Sequence, residues 1–173
     1  MADSVSLKLT LDSKAILNRW ARDKTGKVER IIDTWLQRMQ AWMLRETVKS
    51  FDDGAQPGGQ AWPPNVGRYA AWKSSIGSNK PGILRGDLRR SFAQNKQINK
   101  AMKQASIGST LPYANAVYYG KSSGWAGEVT GSGGNKAWFR FSGMRARPYF
   151  PTVKRGEDHA ADLFNQLAKK YLA

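Results

Sequence analysis

The 173-residue chain contains no cysteine and a single histidine, His159. Without thiols there is no disulfide framework, no thiolate nucleophile and no cysteine-ligated zinc. One imidazole argues equally against His-rich metal sites and most His-dependent catalysis. No run approaches the ~20 apolar residues of a membrane-spanning helix. Met1-Ala2-Asp3-Ser4 has neither a basic nor an apolar signal region, so no secretory signal is expected. Acids are scarce too, with 13 Asp and Glu against 28 Lys and Arg. A hydrophobic share of 40%, of which 11% of the chain is aromatic, supports a packed core rather than disorder. The expectation is a soluble, basic, non-redox protein whose length suits one domain, residues 1–173.

The net charge of +15 is concentrated in the middle of the chain. Residues 1–60 hold ten basic and eight acidic side chains, and residues 156–173 hold two and three. Residues 61–155 hold sixteen basic side chains opposed only by Asp87 and Glu128. Such a field attracts polyanions, either nucleic acid or acidic protein faces. A basic surface that only aids solubility is the plainer alternative.

Val5, Leu7, Leu9 and Leu11 alternate with polar residues, the period of a half-buried strand. Asp12 or Ser13 can cap a short helix carrying Ile16, Leu17 and Trp20. After Gly26, Val28, Ile31, Ile32, Trp35, Met39, Trp42 and Met43 recur at spacings of three and four. That stripe predicts a helix over Lys27–Ser50, about 36 Å long at ~1.5 Å per residue. It is too long for a small sheet alone to cover unless subunits pack along it. Its tryptophans suit a core better than a recognition surface.

Residues 52–82 are rich in turn signals, among them Asp52-Asp53-Gly54, Pro57-Gly58-Gly59 and Trp62-Pro63-Pro64. Trp62, Tyr69 and Trp72 make this an ordered, partner-facing loop, with a short helix near Tyr69–Ser74. In Gly82–Phe92, Ile83 and Leu84 precede a Gly86-Asp87 turn with Asp87 as a cap. Phe92–Ile98 and Ala105–Ser109 then read as two strands joined through Asn99–Lys103. Pro112 opens a short helix, Tyr113–Tyr119. Gly120–Asn135 is Gly/Ser-rich, a mobile hairpin or a loop excursion within an extended stretch over 120–145. Ala137–Phe141 reads as a strand and Arg145–Pro151 as an extended segment. Gly156–Tyr171 closes the chain as a helix with Leu163, Phe164, Leu167 and Tyr171 inward. Its Glu157, Asp158 and Asp162 near the start and Lys169 and Lys170 near the end suit the helix dipole.

Tests for catalytic chemistry find no constellation, so no catalytic residue, metal site or cofactor is expected. The acids fall on amphipathic helices or in the Asp52-Asp53 turn, where solvation is ordinary. His159 falls in the first turn of the last helix, where a surface or capping role outweighs catalysis. Ser91 lacks the surroundings of a nucleophile elbow. Gly131-Ser132-Gly133-Gly134 lacks the Lys-Ser/Thr of a phosphate loop. Basic residues among aromatics could bind nucleic acid, with Arg85, Arg89, Arg90, Lys96, Lys100, Lys103, Arg145 and Arg147 as candidates. No recognised nucleic-acid module accompanies them.

Taken in order, the segments resemble the phage virion morphogenesis (tail completion) family, related to head–tail joining and tail terminator proteins. A long amphipathic helix ends in Ser50-Phe51, and a Gly-rich loop leads into Trp62-Pro63-Pro64. Ile83-Leu84, Gly86 and Leu88-Arg89-Arg90-Ser91-Phe92 follow the pattern Ile-Leu-x-x-Gly-x-Leu-x-x-Ser. Pro112-Tyr113-Ala114 with Tyr119-Gly120 then precedes Ala146-Arg147-Pro148-Tyr149-Phe150. The match covers most of residues 27–152. It departs at Arg85, where a small hydroxylated residue is common, and in the long Gly120–Arg145 stretch.

The resemblance implies an α+β subunit, with a small antiparallel or mixed sheet packed against a long N-terminal helix and a C-terminal helix. It implies a non-enzymatic virion protein at the tail or neck, assembled in the host cytoplasm. The subunit forms a homo-oligomeric ring, a hexamer by the tail's symmetry, that completes or terminates the tail at its head-proximal end. Its partners are the tail tube protein and the head–tail connector, with DNA passing through the channel and no membrane involved. Expected subunit, tail or neck contacts are Trp62, Pro63, Pro64, Leu84, Leu88, Tyr113, Tyr119, Pro148 and Tyr149. Arg85, Arg89, Arg90, Arg145 and Arg147 are expected to face DNA or an acidic partner. The alternative is a free basic nucleic-acid-binding protein, recognised by a steep salt dependence of the isolated subunit. A metal-dependent nuclease would need clustered acids, which the middle segment lacks.

Overall fold

The computed structural model describes residues 5–10, 26–65, 70, 71, 74, 86–120, 126–130, 136–140 and 145–172. The predicted first helix around Ile16–Trp20, Ile83, Leu84 and Arg85, and much of the 66–85 segment lie outside these residues. Within that segment Ala70, Ala71 and Ser74 are helical.

The chain enters through strand β1 (Val5–Thr10), as its alternation predicts. Helix α1 (Lys27–Asp53) then runs for 27 residues, about 40 Å at ~1.5 Å per residue. It begins where the sequence predicts and ends three residues later than Ser50. Gly54 stops it in the left-handed conformation (φ 64°), donating its N–H to Ser50 O. The buried face includes the predicted stripe, with Ile31, Trp35, Met39 and Met43 at 1% exposure or less, and adds Leu36, which the stripe did not include. Each such side chain removed from water contributes roughly 1.5–3 kcal/mol.

Helix α2 (Asp87–Gln94) corrects the strand expected from Phe92. Leu88, Ser91 and Phe92 are buried at helical spacing, and Gly86 enters the helix at φ 74°, a region that favours glycine. Asp87 is the first helical residue rather than the cap. At the other end, the backbone N–H and side-chain amide of Asn95 both donate to Ser91 O.

Strands β2 (Lys96–Asn99) and β3 (Gln104–Ser109) form an antiparallel hairpin, and β1 pairs with the other side of β3. The three-stranded order is β1-β3-β2. Helix α3 (Ala114–Tyr119) follows, then strands β4 (Ala126–Thr130) and β5 (Lys136–Arg140), which form a separate antiparallel pair. For the Gly/Ser-rich stretch, a hairpin is thus the observed alternative.

Helix α4 (Val153–Leu172) starts earlier than Gly156. Thr152 Oγ1 accepts the Arg155 backbone N–H at its start. The first turn therefore carries no acid and Glu157 and Asp158 come just after it, while Lys169 and Lys170 occupy the last turn. His159 correspondingly falls in the second turn. Leu163, Phe164 and Leu167 are buried, and Tyr171 packs half-buried against the same core.

α1 is the spine of this α+β arrangement. Trp35 donates its indole N–H to Ala160 O of α4 at 3.0 Å. On the sheet side, the Gln40 amide donates to Gln97 O and Ser106 O at 2.9 and 3.2 Å. The helix is thus held between α4 and the β2–β3 hairpin, with α2 beside it.

Candidate functional site

The segments that carry the resemblance converge on one aromatic knot. Phe51 at the end of α1 meets Trp62 edge-on at 5.4 Å and stacks with Tyr149 at 5.6 Å. Phe92 of α2 lies 5.0 Å from Tyr149 and 5.7 Å from Phe150. Tyr118 of α3 closes the cluster, 5.0 Å from Tyr149. Edge-to-face and offset pairs of this kind add about 0.5–1.5 kcal/mol each beyond their burial.

Polar groups fix the register of the knot. The loop after α1 folds back through an Ala55–Ala61 bridge, and Trp62 N–H reaches Gly54 O at 2.7 Å. That places the indole N–H 2.7 Å from Pro148 O. In return, the Arg147 guanidinium donates to Pro63 O and, at 3.0 Å, to Asn65 Oδ1. Arg147 N–H donates to Val117 O, and Tyr149 OH to Ala114 O at 3.2 Å. Gln56 ties the same loop to Phe150 O. Burial raises the Tyr149 phenol far above its ordinary range, with Tyr118 adding to the shift. Burial also raises Tyr118, with Tyr119 adding to it. The Tyr149 hydroxyl keeps its proton and donates it to Ala114 O.

The expected contact residues divide sharply. Trp62, Leu88 and Tyr149 lie in this chain's own core, Trp62 at 5% exposure and Tyr149 at zero. The Trp62 ring is thereby used inside the subunit, because its apolar body packs on Phe51 and its N–H is satisfied by Pro148. Pro63, Tyr113 and Pro148 are half-buried, while Pro64 and Tyr119 face solvent. Leu84 and Arg85 lie outside the described residues. Among the arginines, Arg147 is 4% exposed and donates within its own chain to Pro63 O and Asn65 Oδ1. Arg89 pairs with Asp52 at 3.0 Å, Arg90 pairs with Asp87, and both remain partly open to solvent. Arg145 is exposed.

Two features escape the sequence. Glu46 is 7% exposed in α1, and its carboxylate accepts from Arg155 Nε and Nη2 of α4 at 3.2 and 2.9 Å. His159 stacks on Trp42 with ring centres 4.5 Å apart. Burial lowers the His159 pKa, as does Arg45, against Asp162 and Glu46. Glu46 does sit in the apolar stripe of α1, three and four residues from Met43 and Ser50, which is the one signal that could have marked it.

A further cluster of cations surrounds the β2–β3 turn. Lys100 pairs with Asp33 at 2.6 Å, Lys103 takes a left-handed φ of 50°, and Met102 between them is 63% exposed. Among the described residues, no group of His, Asp and Glu is placed to hold a metal ion. Nor is any described helix long and apolar enough to cross a membrane.

No curated protein and no solved structure matches the chain. The model of the phage virion morphogenesis family matches residues 14–168, a span that takes in α1, the aromatic knot and nearly all of α4. The chain belongs to the phage virion morphogenesis family.

Proposed function

We propose that the protein is a non-enzymatic structural component that completes the phage tail at its head-proximal end. Copies assemble into a ring, a hexamer matching the tail's symmetry, between the tail tube and the connector, and DNA passes through its channel. The observation that carries the reading is the division of labour among the family-motif residues. Trp62, Phe92, Arg147 and Tyr149 spend their side chains on rigidity. Arg89, Arg90, Arg145, Tyr119 and the β2–β3 turn face outward. A wall subunit needs that combination of a fixed interior and a cationic exterior. The outward cations meet acidic faces of the tube or connector, or the phosphates of passing DNA.

Electron microscopy of lysates from phage lacking this gene tests the proposal. Full heads separated from tails, or tails of uncontrolled length, are expected. Normal infectious particles with joined tails would remove it.

A further inference from the structure

Among the described residues, no strand pairs with the outer edge of β2 in the three-stranded sheet. Gly108 N–H donates to Asn95 O, and the β2–β3 register continues from that pair. Hydrogen-bonded pairs alternate along an antiparallel ladder, so Gln97 and Asn99 turn their backbone groups toward β3. Lys96 and Ile98 therefore turn theirs away from it, and the sheet order gives β2 no second neighbour. Beside this edge runs a shallow groove of about 390 Å³ against α1. Ala41, Leu44, Val48 and Ile98 give it an apolar floor, and Arg45 and Lys96 stand at its rim with no acid among the lining residues.

The β4–β5 hairpin presents the reciprocal problem. Among the described residues its strands pair with each other and join no other sheet. A two-stranded ribbon alone is marginal in water. Its strands also differ in charge. β5 carries Lys136 and Arg140, whereas the only charged residue of β4 is Glu128, the sole acid between residues 88 and 156. Like charges placed across neighbouring strands are destabilising and opposite charges favourable, so β4 is the strand that suits the cationic β2 edge.

We infer that β4 of one subunit adds to the β2 edge of the next, beside the α1 groove, making a sheet of order β1-β3-β2-β4-β5 across the junction. The contact joins two different surfaces, so it repeats head to tail and can close a ring. Main-chain hydrogen bonds to Lys96 and Ile98 supply the pairing, and the opposite charges of β4 and of the β2 edge select the strand. This inference rests on the assembly of copies proposed above and specifies where they touch.

The cysteine-free chain makes the test direct. Lys96→Cys and Glu128→Cys proteins, made separately, are mixed and treated with a short bismaleimide. A crosslinked dimer from the mixture, with neither protein crosslinking alone, is expected, because a bond in the mixture cannot form within one chain. The double variant should give a ladder of multimers. In a parallel charge exchange, Lys96→Glu should weaken self-association on the order of tenfold, and adding Glu128→Lys should restore it. If the wild-type protein forms oligomers but the mixture gives no 96–128 dimer, the inference is overturned and the ring stands on another surface. The same holds if the double variant crosslinks only within monomers. If the wild-type protein stays monomeric at every concentration and no crosslink forms, both the contact and the ring fall.

Discussion

The indole N–H of Trp62 ends 2.7 Å from the carbonyl oxygen of Pro148, 86 residues further along the chain. Two segments with no local reason to meet are thereby locked together, and Arg147 locks them a second time through Pro63 O and Asn65. Trp62→Ala should destabilise the fold by about 3–5 kcal/mol through lost burial and a cavity. Trp62→Phe keeps the packing and strands the Pro148 carbonyl, for about 1–3 kcal/mol. Pro64→Ala, on the exposed side of the same turn, should stay within about 0.5 kcal/mol. Urea unfolding followed by tryptophan fluorescence or circular dichroism measures all three.

Arg147 and Arg145 are close in sequence but differ in environment. Truncating the buried Arg147 to Ala removes the donors to Pro63 O and Asn65 and should cost about 2–4 kcal/mol. Arg145→Ala should change stability by no more than about 0.5 kcal/mol and instead show its effect, if it contacts a partner, in particle assembly. Equal stability losses at the two positions would contradict the assignment of Arg147 to the interior.

The Glu46–Arg155 pair joins α1 to α4 at a site where the carboxylate is buried but the guanidinium is 46% exposed. Arg155→Ala leaves the carboxylate without its main partner, and solvent access moderates the cost to about 1–2 kcal/mol. Glu46→Gln in the Arg155→Ala background should recover part of it. A double-mutant cycle in urea gives the coupling.

Arg89 and Arg90 are held by surface acids, and such pairs contribute about 0–1 kcal/mol each. The double alanine variant should therefore fold with nearly normal stability while weakening tail joining or DNA retention at physiological salt. Titre and particle stability under a salt challenge provide the readout, and unchanged values would reject a contact role for these two residues.

His159 lies against Trp42, Arg45 and Glu46 of α1, with Arg155, Asp158 and Asp162 nearby on its own helix. Burial lowers its folded-state pKa, so the unfolded chain binds the proton more readily. Its contribution to stability is full above the ordinary imidazole value of ~6.5 and is lost as pH falls through the range below it. His159→Gln should flatten the stability–pH curve just below neutrality. Urea midpoints between about pH 7.5 and 5.5 test this, and an unaltered slope in the variant would exclude His159 as the source.

The helices were legible where burial is one-sided. The stripe from Val28 to Met43 gives α1, and the Leu163–Leu167 spacing gives α4. Boundaries were less so, because they depend on single backbone groups. Gly54 carries α1 three residues past Ser50, and Thr152 draws the start of α4 back to Val153. Phe92 reads as strand in the sequence because its helix is one short stretch fixed by Gly86 and Asn95 rather than by a long period. The fate of Trp62 and Arg147 was illegible for a different reason. An aromatic anchor and a surface cation have the same residue types as a core indole and a buried guanidinium. Only the long-range partners, Pro148 O for one and Pro63 O for the other, distinguish them.

Cryo-electron microscopy of intact virions, with this chain fitted to the density between tail tube and connector, is the most direct measurement. A closed ring of identical subunits at the head-proximal tail end, its exposed cations against acidic protein or the DNA path, is the expected result. Density for this chain at another place in the particle, or its absence from purified virions, would contradict a structural role at the head–tail junction.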